Sequence, residues 1–260
     1  MPTRTLGIAL LHLAPIPGDL ARNRQLVEMA INAAARLGAK WIITPELIVP
    51  GYAFADSIGT KWILPQLDPW MRRISRLAAR LRVTLFLSCP EQDRKSRKFY
   101  NSLFAIASDG SIAGTHRKIH TLRVGSESWS TPGTQAVAVP VHPFTHVGML
   151  ICADAYTSKI ARNLQTQGAQ LLVSSAAWAP GLHGPNGEWE QCTLDTGLPL
   201  IVCNRTGPDR VLDFRQAESV VVKDGQRLLS LSSTRSAVFA IEWDLQTRTL
   251  ATKEYRTVYF

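Results

Sequence analysis

Apolar and polar positions along this chain follow two periods. Between Asp19 and Leu37, the residues Leu26, Met29, Ala30, Ala33, Ala34 and Leu37 fall on one helical face, and Gly38 closes the stripe as a C-cap glycine would. The next stretch, AKWIITPE, is a short apolar run fit for a strand buried on both faces. A second helix is predicted from about Leu67 to Arg80, followed by the strand VTLFLSCPE. FYNSLFAIASDGSIAGTHRKIH then reads as two strands joined at Asp109-Gly110, a dipeptide that tolerates positive φ.

The same vocabulary returns in the second part of the chain. AVAVPV and HVGMLIC are strands, TSKIARNLQTQ a helix, GAQLLVSSAAW a buried strand, GEWEQCTLDTG a helix and PLIVCNRTG a strand. ESVVVKDGQRLLSLS is a hairpin turning at Asp224-Gly225. LGAKWIITPE matches QGAQLLVSSAA in form, VTLFLSCPEQ matches PLIVCNRTGP, and SLFAIASDGS matches SVVVKDGQ, in the same order. Ordered echoes of this kind predict two similar halves, each a sheet with helices on one face, packed sheet to sheet. The expected fold is α/β, a four-layer α-β-β-α sandwich. WAPGLHGPNG, from Trp178 to Gly187, is the most turn-rich stretch and is expected to be a loop near whatever site exists.

Bulk numbers narrow the picture further. A chain of 260 residues, 45% hydrophobic, can build one large core, so a single domain over residues 1–260 is expected. MPTRTLGIALLHLAP runs into a strand pattern without a small-residue cleavage site, and no later apolar run reaches the roughly 20 residues that span a bilayer. The expectation is a soluble, cytoplasmic protein that does not engage a membrane. The four cysteines, Cys89, Cys152, Cys192 and Cys203, form neither a CxxC pair nor a dense framework, so neither a metal site nor a disulfide scaffold is expected. The formal charge of +9 is scattered over a helix face (RRISRLAARLR) and a loop (DRKSRKFY), which reads as a solvated basic surface and not as a nucleic-acid site.

Three predicted strand ends carry an unusual polar residue. Glu46 follows the apolar WII, where partial desolvation raises a carboxylate toward the range of a general base; alone, it equally reads as a turn cap. Lys118 sits in THRKIH beside Arg117, His116 and His120; a lysine held near carboxylates stays cationic and can stabilise an oxyanion, whereas the bland alternative is a basic loop. Cys152 ends the run GMLIC just before a predicted helix, a setting that favours a thiolate. Cys89 and Cys203, in FLSCP and IVCNR, exemplify the alternative, a thiol that merely fills core.

Taken in order, TPE (Thr44 to Glu46), HRK (His116 to Lys118) and GMLICAD (Gly148 to Asp154) resemble the motifs of the nitrilase superfamily of carbon-nitrogen hydrolases, on its amidase-like side. The resemblance covers nearly the whole chain, and its motifs are specific jointly. PGY (Pro50 to Tyr52) and TPG (Thr131 to Gly133) add to it, and Glu127, in GSESWSTPG, matches a second glutamate that supports the lysine.

The resemblance implies a Glu46-Lys118-Cys152 triad performing thiol acyl transfer, with Glu46 as base, Lys118 and the backbone N–H of Ala153 on the oxyanion, and Glu127 assisting. No metal or organic cofactor is implied. His116 and His120 are alternatives for a Cys-His pair, and His12 and His183 receive no role. Tyr52, Trp178 and Trp129 are candidates for the wall of a substrate pocket, with core packing the equal alternative for each. Ala153-Asp154 stands where many nitrilases of the superfamily carry Trp-Glu, which favours a small-molecule amide over a nitrile. DAYTSK lacks the arginine that members acting on carbamoyl amino acids or dicarboxylate monoamides often carry there. Carbamoyl or nitrile hydrolysis, acyl transfer to an amine and a non-catalytic binding role stand as alternatives. The C-terminal TLATKEYRTVYF, rich in β-branched and aromatic residues, is odd for a free tail, and with the resemblance it implies a homodimer or higher homo-oligomer.

Overall fold

The computed structural model describes residues 5–122, 127–181, 183–210 and 212–260. The first half runs β1 (Thr5–His12), α1 (Leu20–Arg36), β2 (Trp41–Ile43), the short α2 (Ala55–Ile58), α3 (Pro69–Leu81), β3 (Thr84–Gln92), β4 (Phe99–Ile106) and β5 (Ile112–Arg117). The second runs β6 (Val139–Val141), β7 (Phe144–Ile151), a 3-10 turn (Cys152–Tyr156), α4 (Lys159–Thr166), β8 (Leu172–Ala176), α5 (Glu188–Thr196), β9 (Leu200–Asn204), β10 (Ser219–Lys223) and β11 (Gln226–Leu231). β12 (Ala237–Asp244), β13 (Thr249–Leu250) and β14 (Arg256–Tyr259) complete the chain.

Local chemistry explains the helix ends. The Asp19 side chain accepts from the Arg22 N–H at 3.1 Å and so caps α1. Asp68 does the same for α3 through the Met71 N–H at 2.7 Å, with Pro69 in the first turn. That cap starts α3 two residues later than the apolar pattern alone implies.

One sheet has the order β13-β12-β1-β2-β3-β4-β5, with β14 also on β12, and the other has β11-β10-β9-β8-β7-β6. β1-β2-β3 and β7-β8-β9 are the parallel cores of the two halves. Each carries an antiparallel neighbour on its first strand, β12 on β1 and β6 on β7. The duplication expected from the sequence is therefore present in the topology. β12 received no expectation, although its apolar run AVFAI is a legible strand signal.

Side-chain alternation divides the layers. Leu6, Ile8 and Leu10 of β1 share a cluster with Trp41 and Ile43 of β2 and with Met149, Ile151, Val173 and Ile201 of the other sheet. Ala9 and Leu11 of β1 pack instead with Val27 and Ile31 of α1 and Met71 and Ile74 of α3. Ile160 and Leu164 of α4 and Trp189 of α5 cover the second sheet. Gly148 lets α4 approach β7, since a Cβ there would lie 2.6 Å from Leu172 and 2.9 Å from Leu164. The C-terminal segment is not loose: β13 and β14 pair antiparallel with β12 in their own chain. No helix among the described residues is long and apolar enough to cross a membrane.

Candidate active site

Glu46 stands where β2 leaves its sheet. The Thr44 N–H reaches Phe86 O at 3.0 Å, and the Ser88 N–H donates to Thr44 Oγ1 at 3.0 Å. Ser88 Oγ in turn accepts from the Leu47 N–H at 3.0 Å. Leu47 takes φ 50°, so the chain turns sharply just after Glu46. The Glu46 N–H crosses to the other sheet and meets Ala176 O at 3.2 Å. Its Oε1 accepts from Lys118 Nζ at 2.7 Å and from Asn101 Nδ2 at 2.7 Å, and its Oε2 accepts from the Ala177 N–H at 3.0 Å.

Lys118 follows β5. Its N–H donates to Asn101 O at 2.8 Å and its carbonyl accepts from the Gly133 N–H at 2.7 Å. Gly133 is confined to glycine there, because a Cβ would lie 2.2 Å from Arg117 O. Nζ also donates to Glu127 Oε2 at 2.8 Å, while Glu127 Oε1 accepts from Asn101 Nδ2 at 2.9 Å. Glu46 and Glu127 are fully buried and Lys118 is 1% exposed, so one ammonium and one amide bind two carboxylates out of water.

Cys152 opens the 3-10 turn at the end of β7 with φ 46°, a backbone conformation that is uncommon off glycine. Asp154 closes that turn, accepting from the Ile151 N–H at 3.0 Å. The same carboxylate accepts from the Ile119 and His120 N–H groups, both at 2.9 Å, and lies 2.7 Å from His116 Nε2. Asp154 thus ties the Cys152 turn directly to the chain on either side of Lys118.

These surroundings set the proton affinities. Burial pushes the Glu46 carboxyl above its ordinary range, partly opposed by Lys118. Burial alone would lower Lys118, but the Glu46 and Glu127 carboxylates outweigh it and hold the ammonium well above its usual value. The Cys152 thiol is raised by burial and by Glu46, against the pull of Lys118. The resting nucleophile candidate is a thiol, beside a carboxylate with raised proton affinity and a fixed cation.

In front of Cys152 lies a cavity of 490 Å³ lined by Tyr52, Leu122, Ala153, Tyr156, Ala177, Trp178, Ala179, Pro180, His183, Gly184 and Leu212. Tyr52, Ala153 and Trp178 are thus among the residues on this cavity, and the turn-rich loop from Trp178 forms part of its wall. Trp129 does not line this cavity; it packs edge-on against Phe54 at 5.0 Å. His116 is engaged with Asp154, His120 meets the same carboxylate through its backbone, and His12 is buried against Ser219 Oγ at 3.0 Å. Cys89, Cys192 and Cys203 are buried free thiols, and burial pushes Cys192 up to about 12. Ser126 and Gly125, which precede Glu127 in its motif, lie outside the described residues.

Sequence reading missed Asn101, which holds both carboxylates, the Ala177 N–H, and Asn204 behind Trp178. A lone asparagine in FYNSLFAI and another in IVCNR, each interrupting an apolar run, were the available signals. Among the described residues no group of three or more His, Cys, Asp and Glu side chains is arranged to hold a metal ion.

Comparison with known proteins agrees with this architecture. The family model described as carbon-nitrogen hydrolase matches residues 7–251. A probable nitrilase of Schizosaccharomyces pombe is 25% identical, over 97% of this chain and 94% of its own length. A citrullinase of Francisella tularensis is 31% identical, over 71% of this chain and 69% of its own. Among solved structures, Nit3 of Saccharomyces cerevisiae superposes with a TM-score of 0.81 at 20% identity, over 93% of this chain and 91% of that one. An amidase of Nesterenkonia sp. AN1, captured with the acetamide moiety of fluoroacetamide on its active-site cysteine, gives 0.76 at 22% identity, over 92% and 90%.

Proposed function

Because the chain belongs to the carbon-nitrogen hydrolase family, we propose that it hydrolyses a small-molecule amide through a thioester on Cys152. The observation that carries this reading is the placement of Lys118 Nζ 2.7 Å from Glu46 and 2.8 Å from Glu127, with Cys152 opening onto the adjoining cavity. Each group then has a task that follows from its contacts.

Glu46 Oε1 is occupied by Lys118 and Asn101, so Oε2 is the oxygen that takes the Cys152 proton. The thiolate attacks the carbonyl carbon, and the oxyanion is held by Lys118 and the Ala153 N–H. The carbon-nitrogen bond breaks as Glu46 returns its proton to the departing nitrogen, which leaves as ammonia or an amine. Water, deprotonated by Glu46, then attacks the thioester carbonyl. The acid departs and the thiol is restored, so one carboxylate serves both halves of the cycle. Glu127 and Asn101 keep Lys118 and Glu46 aligned. The adduct on the Nesterenkonia amidase's active-site cysteine supports the assignment of the nucleophile by analogy.

The test is intact-mass spectrometry of the wild type and Cys152→Ala with simple amides, alongside ammonia release. An acyl adduct or turnover that disappears in the variant is expected. A Cys152 inert to amides and to a small thiol reagent, while another cysteine reacts, would sink the reading.

A further inference from the structure

The cavity in front of Cys152 has a definite chemistry. Among its described lining residues there is no aspartate, glutamate, lysine or arginine. The three buried charges beside it are engaged with one another: Lys118 donates to both Glu46 and Glu127. A charged group on a ligand's acyl chain would therefore lose its hydration and meet, among the described lining residues, no carboxylate and no cation other than a protonated His183.

Trp178, in that wall, is held on several sides. Asn204, itself fully buried, accepts from the Trp178 N–H at 3.0 Å and donates to the Trp178 carbonyl at 2.9 Å. The Trp178 indole N–H donates to His183 O at 2.7 Å, so the polar groups of this residue are all engaged elsewhere. Its ring meets Tyr156 edge-on at 5.0 Å and Trp189 edge-on at 5.4 Å. What Trp178 presents to the cavity is hydrocarbon in a fixed orientation. The volume of 490 Å³ falls in the range that encloses a small organic molecule and leaves acetamide with few contacts.

We propose that the substrate is a primary amide with an uncharged, apolar acyl group, alkyl or aryl-alkyl, lying against Trp178 and Tyr156. This inference rests on the reading of Cys152 as the nucleophile. Trp178 and Tyr156 are then specificity-determining residues, and Asn204 positions Trp178.

The test compares kcat/KM for ammonia release from phenylacetamide, hexanamide, acetamide, 4-carboxybutanamide and 5-aminopentanamide, with Cys152 acylation followed by intact mass. Phenylacetamide and hexanamide are expected to exceed the two charged amides by at least about 100-fold. Trp178→Ala should lower the phenylacetamide-to-acetamide ratio by about 10- to 100-fold. Should that variant fail to fold, Tyr156→Arg, at a position 43% exposed, carries the same test, shifting selectivity toward 4-carboxybutanamide by about 10-fold. Preference for a charged amide by the wild type, or ratios unmoved in the folded variants, overturns the inference while Cys152 acylation persists. Absence of acylation by every amide removes the hydrolase reading and this inference together.

Discussion

Two buried polar clusters lie at strand ends of this sandwich, and they handle burial in opposite ways. Around Glu46, Lys118 and Glu127 the chain buries three charges and answers them with one another and with Asn101. Around His12 it buries an ionisable ring beside Ser219, the Asn204 backbone and the Phe239 ring, with no carboxylate among the described residues hydrogen-bonded to it. Lys118 stays charged, held above its usual proton affinity, while burial drives His12 down to about 4 and keeps it neutral. Depth is similar in both; the presence of a counter-charge decides which group keeps its proton. Of the two, only the first holds carboxylates and a cation in direct hydrogen-bond contact.

The most severe break of this contrast is Glu46→Gln. It preserves the shape and the acceptor oxygen for Lys118 but removes the proton acceptor for Cys152, and kcat/KM is expected to fall about 10³-fold or more. Steady-state ammonia release measures it; a loss below about 10-fold would remove Glu46 from the base role. Next in size is Lys118→Met, which leaves Glu46 and Glu127 buried without their cation. Urea unfolding at pH 7 should show a loss of about 3–5 kcal/mol. Adding Glu127→Gln should recover part of that loss, because one uncompensated carboxylate is then gone. No recovery would mean that Glu127 is not left as an uncompensated buried charge when Lys118 is removed.

How much of this was legible beforehand depended on the range of each interaction. The repeat AKWIITPE and GAQLLVSSAAW announced equivalent strands because burial on both faces leaves a continuous apolar run, and β2 and β8 hold those places. Glu46, Lys118 and Cys152 were legible because each ends such a run with a group that does not belong in a core. Asn101 was not, because its two hydrogen bonds reach residues 55 and 26 positions away, and the interrupted apolar run around it does not say what the side chain holds. Asp154 was visible only as part of a motif; three of its four contacts, those to His116, Ile119 and His120, exist only after β5 and β7 have packed. The β-branched and aromatic content of the C-terminal segment fits the strands it forms on β12.

His12 gives a smaller effect with a defined pH window. Its folded-state value of about 4 lies below the unfolded value of 6.5, so between them the unfolded chain binds a proton that the folded chain does not. Its contribution is full above pH 6.5 and falls as pH drops toward 4, by about 3 kcal/mol in all. Urea midpoints of wild type and His12→Asn at pH 7 and pH 4.5 separate this from other titrations. The wild type should lose more stability than the variant across that interval, and equal losses would show that His12 is not the group responsible.

The smallest expected effect sharpens the comparison from the other side. Arg215 contacts Asp213 through three side-chain hydrogen bonds of 2.6 to 3.0 Å, more than His12 makes, and holds that carboxyl down to about 2. Both side chains are more than half exposed, so water competes for every one of those bonds and salt screens the charges. Arg215→Ala should therefore leave the thermal midpoint within experimental error in moderate salt, despite removing more contacts than any change at His12. A clear drop would mean that this exposed loop is held by its ion pair, and that counting contacts, not desolvation, ranks the polar groups of this molecule.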